Sequence, residues 1–360
     1  MDRPKIVVAI DSFKGCLTSQ EANMAAAEGI WRTCPDAEVV QVPVSDGGEG
    51  FLEAFHAALG GRFVEVTVND PLMRPIVARY LLCGDTAVIE IAQASGLTLL
   101  KTEERNPLKT TSYGTGELVV DAIRKGAKHI VVGLGGSATS DAGMGMLEAM
   151  HNAKCVARLE ETLSEQSGER THNDIRFTIA TDVQNPLCGE HGAAHVFAPQ
   201  KGASAADVLV LDERAKRFAE ESAKLFGYDR SELPGAGAAG GLGYAFMQYL
   251  NATCQSGVQL LLDTIGFKKI VKDADWVVTG EGAADHQTLM GKLPMGILQQ
   301  SGRVPVCLIA GRISDCEELL NAGFVRVECI NPSDIALQEA MRKEVAKEHI
   351  RRTMAKMLKE

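Results

Sequence analysis

The sequence lacks most of the features that would settle its class at once. No two of its nine cysteines stand at C-x-x-C spacing, and an odd number cannot all pair within one chain. The thiols therefore read as reduced and idle, as in a cytoplasmic protein. No apolar run approaches the roughly 20 residues of a membrane helix. The opening MDRPKIVVAIDSFKG passes from charge straight into a short strand, without the apolar stretch and small-residue cleavage site of a secretory signal. Positive charge is also short. The formal net charge is −10, which argues against a nucleic-acid partner, whose phosphates call for a basic patch or stripe. A local basic pocket for a small anion stays open. There is no G-x-x-x-x-G-K-[ST] motif: Gly291-Lys292 is followed by Leu293, and no glycine stands five residues before Gly291. The HRD and DFG signatures of protein kinases are missing as well.

What is present is glycine, 36 residues against 12 prolines in a chain of 360. That length suggests two domains, and the 45% hydrophobic and 23% charged content is that of an ordinary globular protein. The chain starts in β-α-β-α order. Lys5–Ile10 is a β-branched run, Thr18-x-x-Glu21 has capping-box spacing, and Ala22, Ala25, Ala26 and Ile30 recur at helical intervals. A strand at Val39–Pro43 and a helix from Phe51 to Leu59 follow. Short strands at Arg62–Val68, Ile76–Leu82 and Ala87–Ile91 then signal a different, partly antiparallel domain. Beyond them come a helix from about Thr115 to Lys125, the strand His129–Val132, a helix starting near Ser140, a strand at Arg176–Thr181, and helices at Ala205–Leu225 and Gly241–Leu250. Residues 157–174 are polar and read as a surface segment. Strand-helix alternation returns from Asp275 with strands at Trp276–Val278, Val304–Ala310 and Val325–Ile330. The fold class expected is α/β in two domains: a Rossmann-like, parallel, doubly wound sheet built from residues 1–62 and 270–360, with a large mixed α/β domain, 63–269, inserted in it. A cleft between two such domains is the expected ligand site.

Glycine clusters beside hydroxyls, acids or lysines at junctions between these elements: DSFKG (11–15), SDGGEG (45–50), TSYGTGE (111–117), GLGGSATSD (133–141), GAGAAGGLG (235–243) and TGEGAADHQTLMGK (279–292). ATDVQNPLCG (180–189) and APQKGA (198–203) are equally polar. GLGGSATSD follows a strand and precedes a helix, the setting in which freed N–H groups seat phosphate; Ser137 and Thr139 add hydroxyls. A tight strand-to-helix turn is the alternative. Asp46-x-x-Glu49 has capping-box shape too, yet two acids at a helix start oppose a bare phosphate and suit hydroxyls or a magnesium ion. Lys14, Lys201 and Lys292 lie within these loops as charge partners, although a single such lysine is ordinarily just solvated. Asp11, Asp182, Glu281 and Asp285 are candidates for magnesium or for a general base, since phosphoryl transfer needs positioning, neutralised charge and a base near the acceptor hydroxyl. GAGAAG matches G-x-G-x-x-G, but DRSELP rather than a strand precedes it, so a dinucleotide fingerprint is not read there. His191 and His195 lack the glutamate and third ligand of a zinc site, and Cys188 lacks a paired base.

The ordered set DSFKG, DGGEG, ASGL (94–97), TSYGTGEL, GLGGSAT, DVQNPLCG, PQKGA, GAGAAGGLG and GEG-x-x-D-x-QT-x-x-GK-x-P-x-G (280–296) resembles the bacterial glycerate kinase family, which is unrelated to P-loop kinases. It spans nearly the whole chain. The departures are Phe51, where the family has Thr, Ser140 for Asn, Ala283 in place of a polar or basic residue, and a short stretch at 155–176. None removes a lysine or carboxylate named above.

The resemblance implies ATP-dependent phosphorylation of glycerate, D-glycerate at its 2-hydroxyl, with Mg²⁺. On that basis ATP phosphates are expected on Gly133, Gly135, Gly136, Ser137 and Thr139, with Lys201 or Lys292 neutralising charge. Mg²⁺ falls to Asp46, Glu49 or Glu281. Glycerate is assigned to Ser12, Lys14, Asp46, Gly47, Gly48, Asn185, Gln287 and Thr288, its carboxylate on Lys14 or on backbone amides. Lys14, Asp182 and Asp285 are the catalytic candidates, with Asp182 or Asp285 taking the proton. A glycerate 3-kinase, a kinase of another short hydroxy acid, and a sensor that binds without turnover are the competing readings. An oxidoreductase resting on GAGAAG is the weakest.

Overall fold

A computed structural model describes residues 3–45, 50–154 and 175–359. Asp46, Gly47, Gly48 and Glu49, and the polar stretch 157–174, lie outside the described residues. The chain divides into two compact units, Met1–Leu59 with Val258–Glu360, and Gly60–Gly257. The α/β class expected from the sequence is the one observed.

Among the described residues, the first unit holds a five-stranded sheet in the order β11-β10-β9-β1-β2. Its strands are β1 (Lys5–Ile10), β2 (Glu38–Gln41), β9 (Trp276–Ala284), β10 (Val306–Ile313) and β11 (Arg326–Cys329). Every pairing is parallel. Parallel strands have both faces covered and read as continuous apolar runs, and KIVVAI is such a run. Ile6, Val8 and Ile10 join one core with Ala22, Ala26, Ile350 and Met354, while Val7 and Ala9, pointing the other way, are also fully buried. Helix Leu293–Ser301 packs on β9 and β10.

The Ser19–Thr33 helix starts at the predicted capping box: Thr18 Oγ1 accepts from the Glu21 amide at 3.2 Å, and the Thr18 amide donates to Glu21 Oε2 at 3.0 Å. It lies against the last helix, Lys343–Met357. Lys343 and Lys347 each reach Glu21 at 3.3 Å, and Arg32 meets Glu348 at 3.1 Å. Thr18 and these lysines hold the Glu21 carboxyl down at about 2, the hydrogen bond from the Thr18 amide being the largest cause.

The second unit holds a six-stranded sheet, β3-β4-β5-β6-β7-β8, among the described residues. It comprises β3 (Arg62–Asn69), β4 (Pro75–Cys83), β5 (Thr86–Glu90), β6 (His129–Gly133), β7 (Arg176–Ala180) and β8 (Thr253–Gln255). β3, β4 and β5 pair antiparallel; β5 through β8 pair parallel. Asp70 makes the turn after β3, accepting from the amides of Leu72 and Arg74 at 2.8 and 2.9 Å. The long Ala205–Phe226 helix is capped by Ser204 with Asp207 and ends at Gly227 in the left-handed conformation.

Some boundaries differ from the sequence reading. The helix expected near Ser140 begins at Met144, because Asp141 is spent on a turn: its carboxylate accepts from the amides of Gly143 at 3.1 Å and Gly145 at 3.2 Å. The strand starting at Trp276 runs on to Ala284, and its partner β10 runs to Ile313, since their register pairs Arg312 with Ala283 and Ile313 with Ala284.

A Cβ on Gly29 would stand 2.5 Å from the Arg351 carbonyl oxygen, so the contact between the first and last helices depends on its absence. Gly29→Ala would raise helix propensity by about 1 kcal/mol at an exposed position. Here it is expected to destabilise the protein by about 1–3 kcal/mol, read as a lower Tm and urea midpoint. A neutral or stabilised variant would show that the two helices can separate freely.

Candidate functional site

In both units the polar loops gather where parallel strands end. In the second unit β6 runs apolar through Val131 and Val132 and then enters the turn Gly133–Ser140. The turn is pinned from below. Ala138 N donates to Ser95 O at 2.8 Å, Leu97 N to Gly136 O at 2.9 Å, and Leu134 N to Ala180 O at 3.1 Å. Gly136 is left-handed at φ 74° and exposed. The amides of Gly135, Gly136 and Ser137 have no acceptor among the described residues. The hydroxyls of Thr139 and Ser140 are buried without a partner there.

Lys201 enters beneath this turn. It is 3% exposed, and its Nζ donates to Ser137 Oγ at 2.8 Å and to the Thr139 carbonyl at 2.6 Å. Burial brings its pKa down to about 7, with the nearby Asp141 carboxylate working the other way. Asp141 itself ties the turn to the TSYGTGE loop, accepting from the Ser112 amide and hydroxyl, both at 2.8 Å.

The next parallel strand, β7, leads into the DVQNPLCG loop. Asp182 is exposed there. Asn185 donates through Nδ2 to the His191 carbonyl at 2.8 Å and accepts from Gly237 N at 2.9 Å through its own carbonyl, so it anchors the loop. Cys188 is removed from nucleophilic chemistry, because burial pushes its thiol up to about 12.

In the first unit, the ends of β1, β9 and β10 surround a cavity of about 450 Å³. β1 contributes Asp11, Ser12 and Lys14, β9 contributes Glu281, and Lys292 comes from the loop beyond. Glu281 is 8% exposed. It accepts from Thr288 Oγ1 at 2.6 Å and faces Lys292 Nζ at 3.7 Å. Lys292 also lies 4.0 Å from Asp285. Asp285 caps the short His286–Leu289 helix by accepting from the Gln287 amide at 2.9 Å, and its own amide donates to Thr288 Oγ1 at 3.0 Å. Thr288 is thus fully buried between two acids, whereas the Gln287 side chain is exposed.

The residues singled out in the sequence therefore fall into groups. Ser12, Lys14, Glu281, Asp285, Thr288 and Lys292 gather in the first unit; Gly133, Gly135, Gly136, Ser137, Thr139 and Lys201 gather in the second, with Asp182 and Asn185 on the adjacent loop. Asp46, Gly47, Gly48 and Glu49 lie outside the described residues. No group of three or more His, Cys, Asp or Glu with metal-binding geometry occurs among the described residues. Mg²⁺ commonly takes only one or two carboxylates and completes its shell with phosphate and water, and the carboxylate of Glu281, which lines the cavity, is compatible with that demand. Sequence reasoning missed Arg312, Asn331, Leu337 and Met341, which line the same cavity. No helix among the described residues is long and apolar enough to cross a membrane.

Comparison with known proteins gives a consistent result. The sequence model described as Glycerate kinase family matches residues 6–360. A protein of Bacillus subtilis (strain 168) named glycerate kinase is 40% identical, over 97% of this chain and 95% of its own. One from Escherichia coli (strain K12) named glycerate 2-kinase is 41% identical, over 86% of each. A solved structure from Salmonella typhimurium LT2, assigned as a glycerate kinase 2, aligns with a TM-score of 0.80 at 35% identity, covering 99% of this chain and 97% of that one.

The buried ammonium of Lys201 yields a signed expectation. Its folded pKa, about 7, lies below the ordinary 10.5, so the folded state binds fewer protons between those values and stability rises with pH. The burial penalty is complete below about pH 7 and is relieved as pH climbs toward 10.5. Melting wild type and Lys201→Met between pH 7 and 10 should show the stability difference moving in favour of wild type, by up to about 1.4 kcal/mol per pH unit. A difference independent of pH would mean that Lys201 stays charged throughout.

Proposed function

The chain belongs to the glycerate kinase family, and from that premise we propose that it transfers the γ-phosphoryl group of ATP to the 2-hydroxyl of D-glycerate, releasing ADP and 2-phosphoglycerate. The observation that carries the reading is the buried Glu281 held between Thr288 and Lys292 at the mouth of a cavity that Lys14 also lines. Opposed charges fixed at a strand end are what positioning and charge neutralisation of a phosphoryl group require. The name of the Escherichia coli relative supports the 2-hydroxyl as acceptor.

In this reading the acceptor oxygen bonds to the γ-phosphorus as the bond to the β,γ-bridging oxygen breaks. ADP leaves with that electron pair, and the hydroxyl proton passes to a carboxylate, Asp285 or Asp182. Lys14 and Lys292 offset the charge on the transferring group. The N–H groups of Gly135, Gly136 and Ser137 can donate to an anionic oxygen cluster, and Lys201 keeps their turn in shape from beneath. Glu281, with Asp46 or Glu49, would hold Mg²⁺, which would supply further charge neutralisation for the phosphates. We place the reaction in the cytoplasm, in keeping with the unpaired state of the eight described cysteines.

Coupled ADP release, measured with D-glycerate, L-glycerate and tartronate with and without Mg²⁺, tests the proposal, and NMR of the product fixes the phosphorylated carbon. Turnover of D-glycerate that needs Mg²⁺ and gives the 2-phosphate is expected; a 3-phosphate, or ligand binding with no ADP, would replace the reading. Lys14→Ala and Asp285→Asn are each expected to lower kcat/KM by about 100-fold, roughly 2.7 kcal/mol. Asn remains a good N-cap, so the second change spares the helix start. Near-wild-type kinetics in both variants would remove these side chains from the mechanism.

A further inference from the structure

The first-unit cavity has a second wall that the charge cluster does not explain. It is also lined by Leu337, Ala340 and Met341, with Phe13 of the DSFKG loop and Cys16 just after it. Leu337 is 74% exposed and Met341 41% exposed. The Met341 methyl hangs over the loop, 3.5 Å from where a Cβ on Gly15 would stand. Exposed apolar side chains on one short segment, facing a polar rim, mark a surface awaiting an apolar partner. The rim adds Arg312, which makes no ion pair among the described residues, and Asn331, whose Nδ2 donates to the Gly311 carbonyl at 2.8 Å.

Three features together select a ligand class. The first is size: about 450 Å³ falls in the range of pockets for cofactor-sized molecules, about 300–1,000 Å³, and a three-carbon acid would leave most of it empty. The second is polarity, since part of the lining is apolar while Lys14, Lys292 and Arg312 supply three positive charges against the two carboxylates of Asp11 and Glu281. The third is position. The sheet order β11-β10-β9-β1-β2 reverses direction between β1 and β9, and the cavity opens at the carboxyl ends of those two strands, where open parallel sheets bind ligands.

We infer that this cavity seats the nucleoside half of a nucleoside triphosphate, its base against Leu337, Ala340 and Met341 and its phosphates toward Lys14, Lys292 and Arg312. This rests on the proposed phosphotransfer and assigns its donor to the first unit. The Leu337–Met341 segment is then a specificity element for the nucleotide and has no direct part in holding the acceptor acid.

The test uses the full-length protein with Mg²⁺ and the non-hydrolysable analogue AMP-PNP in calorimetry, without glycerate, beside steady-state KM values for ATP and for glycerate. Two variants address the apolar wall. Ala340→Trp fills the cavity; Leu337→Asp puts charge at an exposed position that folding tolerates. Both are expected to weaken AMP-PNP at least tenfold and raise KM for ATP comparably, with KM for glycerate within about twofold. Unchanged AMP-PNP affinity in Leu337→Asp, a rise confined to the glycerate KM, or a wild type that does not bind AMP-PNP each overturns the inference. Binding of AMP-PNP that the variants abolish, in a protein that does not turn over glycerate, would sink the assigned reaction and leave the nucleotide site standing. Normal glycerate turnover with an indifferent Leu337–Met341 wall would do the reverse.

Discussion

An interior parallel strand has both faces covered, and the placement of most candidate polar groups at strand ends follows from that constraint. Ile6, Val8 and Ile10 are buried on one side of β1, Val7 and Ala9 on the other, so the first position at which this strand can offer polar chemistry is Asp11. The same holds for β6, which after His129 at its start offers none until it reaches the Gly133 turn. Neighbours aligned in parallel end at the same edge, so loops far apart in sequence meet without any special device. Pairing of Ile10 with Gly280 suffices to bring Lys14 and Glu281 to one cavity across more than two hundred residues.

The lysines at these edges are held in two different ways. Lys201 is an ammonium without solvent, and burying such a charge costs several kcal/mol unless hydrogen bonds compensate it. It has two, and one has a directional consequence. Because Ser137 Oγ accepts from Lys201, that hydroxyl keeps its own proton for another acceptor. A lysine that touches nothing outside the protein can therefore set the donor pattern of the turn above it. Lys292, one-third exposed and 3.7 and 4.0 Å from two carboxylates, has looser contacts that could be exchanged for those of an incoming anion.

The fold was legible wherever burial leaves a periodic trace. The continuous apolar runs of β1 and β6 and the capping residues Thr18 and Ser204 speak for themselves, and the short strands with Asp70 at a turn announce the antiparallel part. Positions set by a single side chain were harder to read. Nothing in the sequence says that Asp141 folds back on Ser112 and delays the next helix to Met144. The placement of the candidate site was legible to the extent that glycine punctuates it. Lys14, Glu281, Asp285 and Lys292 sit in glycine-rich loops and could be picked out one by one, although only three-dimensional pairing shows that the last three touch. Arg312 lies inside β10, Asn331 and Leu337 come after β11 with no glycine cluster beside them, and the apolar residues of the 337–341 segment are too few to give a period. Their common cavity exists only after the sheet has formed.

The GAGAAG string shows why a motif needs its surroundings. In a dinucleotide loop the glycines make room for pyrophosphate. Here that space is taken by the protein's own backbone: a Cβ on Gly237 would stand 2.3 Å from the Pro186 carbonyl oxygen, and one on Gly240 2.0 Å from that of Thr139. The segment follows a turn and carries left-handed residues at Ala239, Gly240 and Gly241 at the start of its helix, which a strand-turn-helix fingerprint would not need. Its function follows from that packing. Gly240 also accepts from the Ala142 amide at 3.0 Å, so this loop closes against the turn in addition to the Ser95 and Leu97 contacts. With Lys201, the turn is held by three separate segments, while the amides of Gly135 and Gly136 keep no acceptor among the described residues. Rigidity at the base and unsatisfied donors at the tip together make a preorganised anion seat, and these glycines serve it by letting backbone approach backbone.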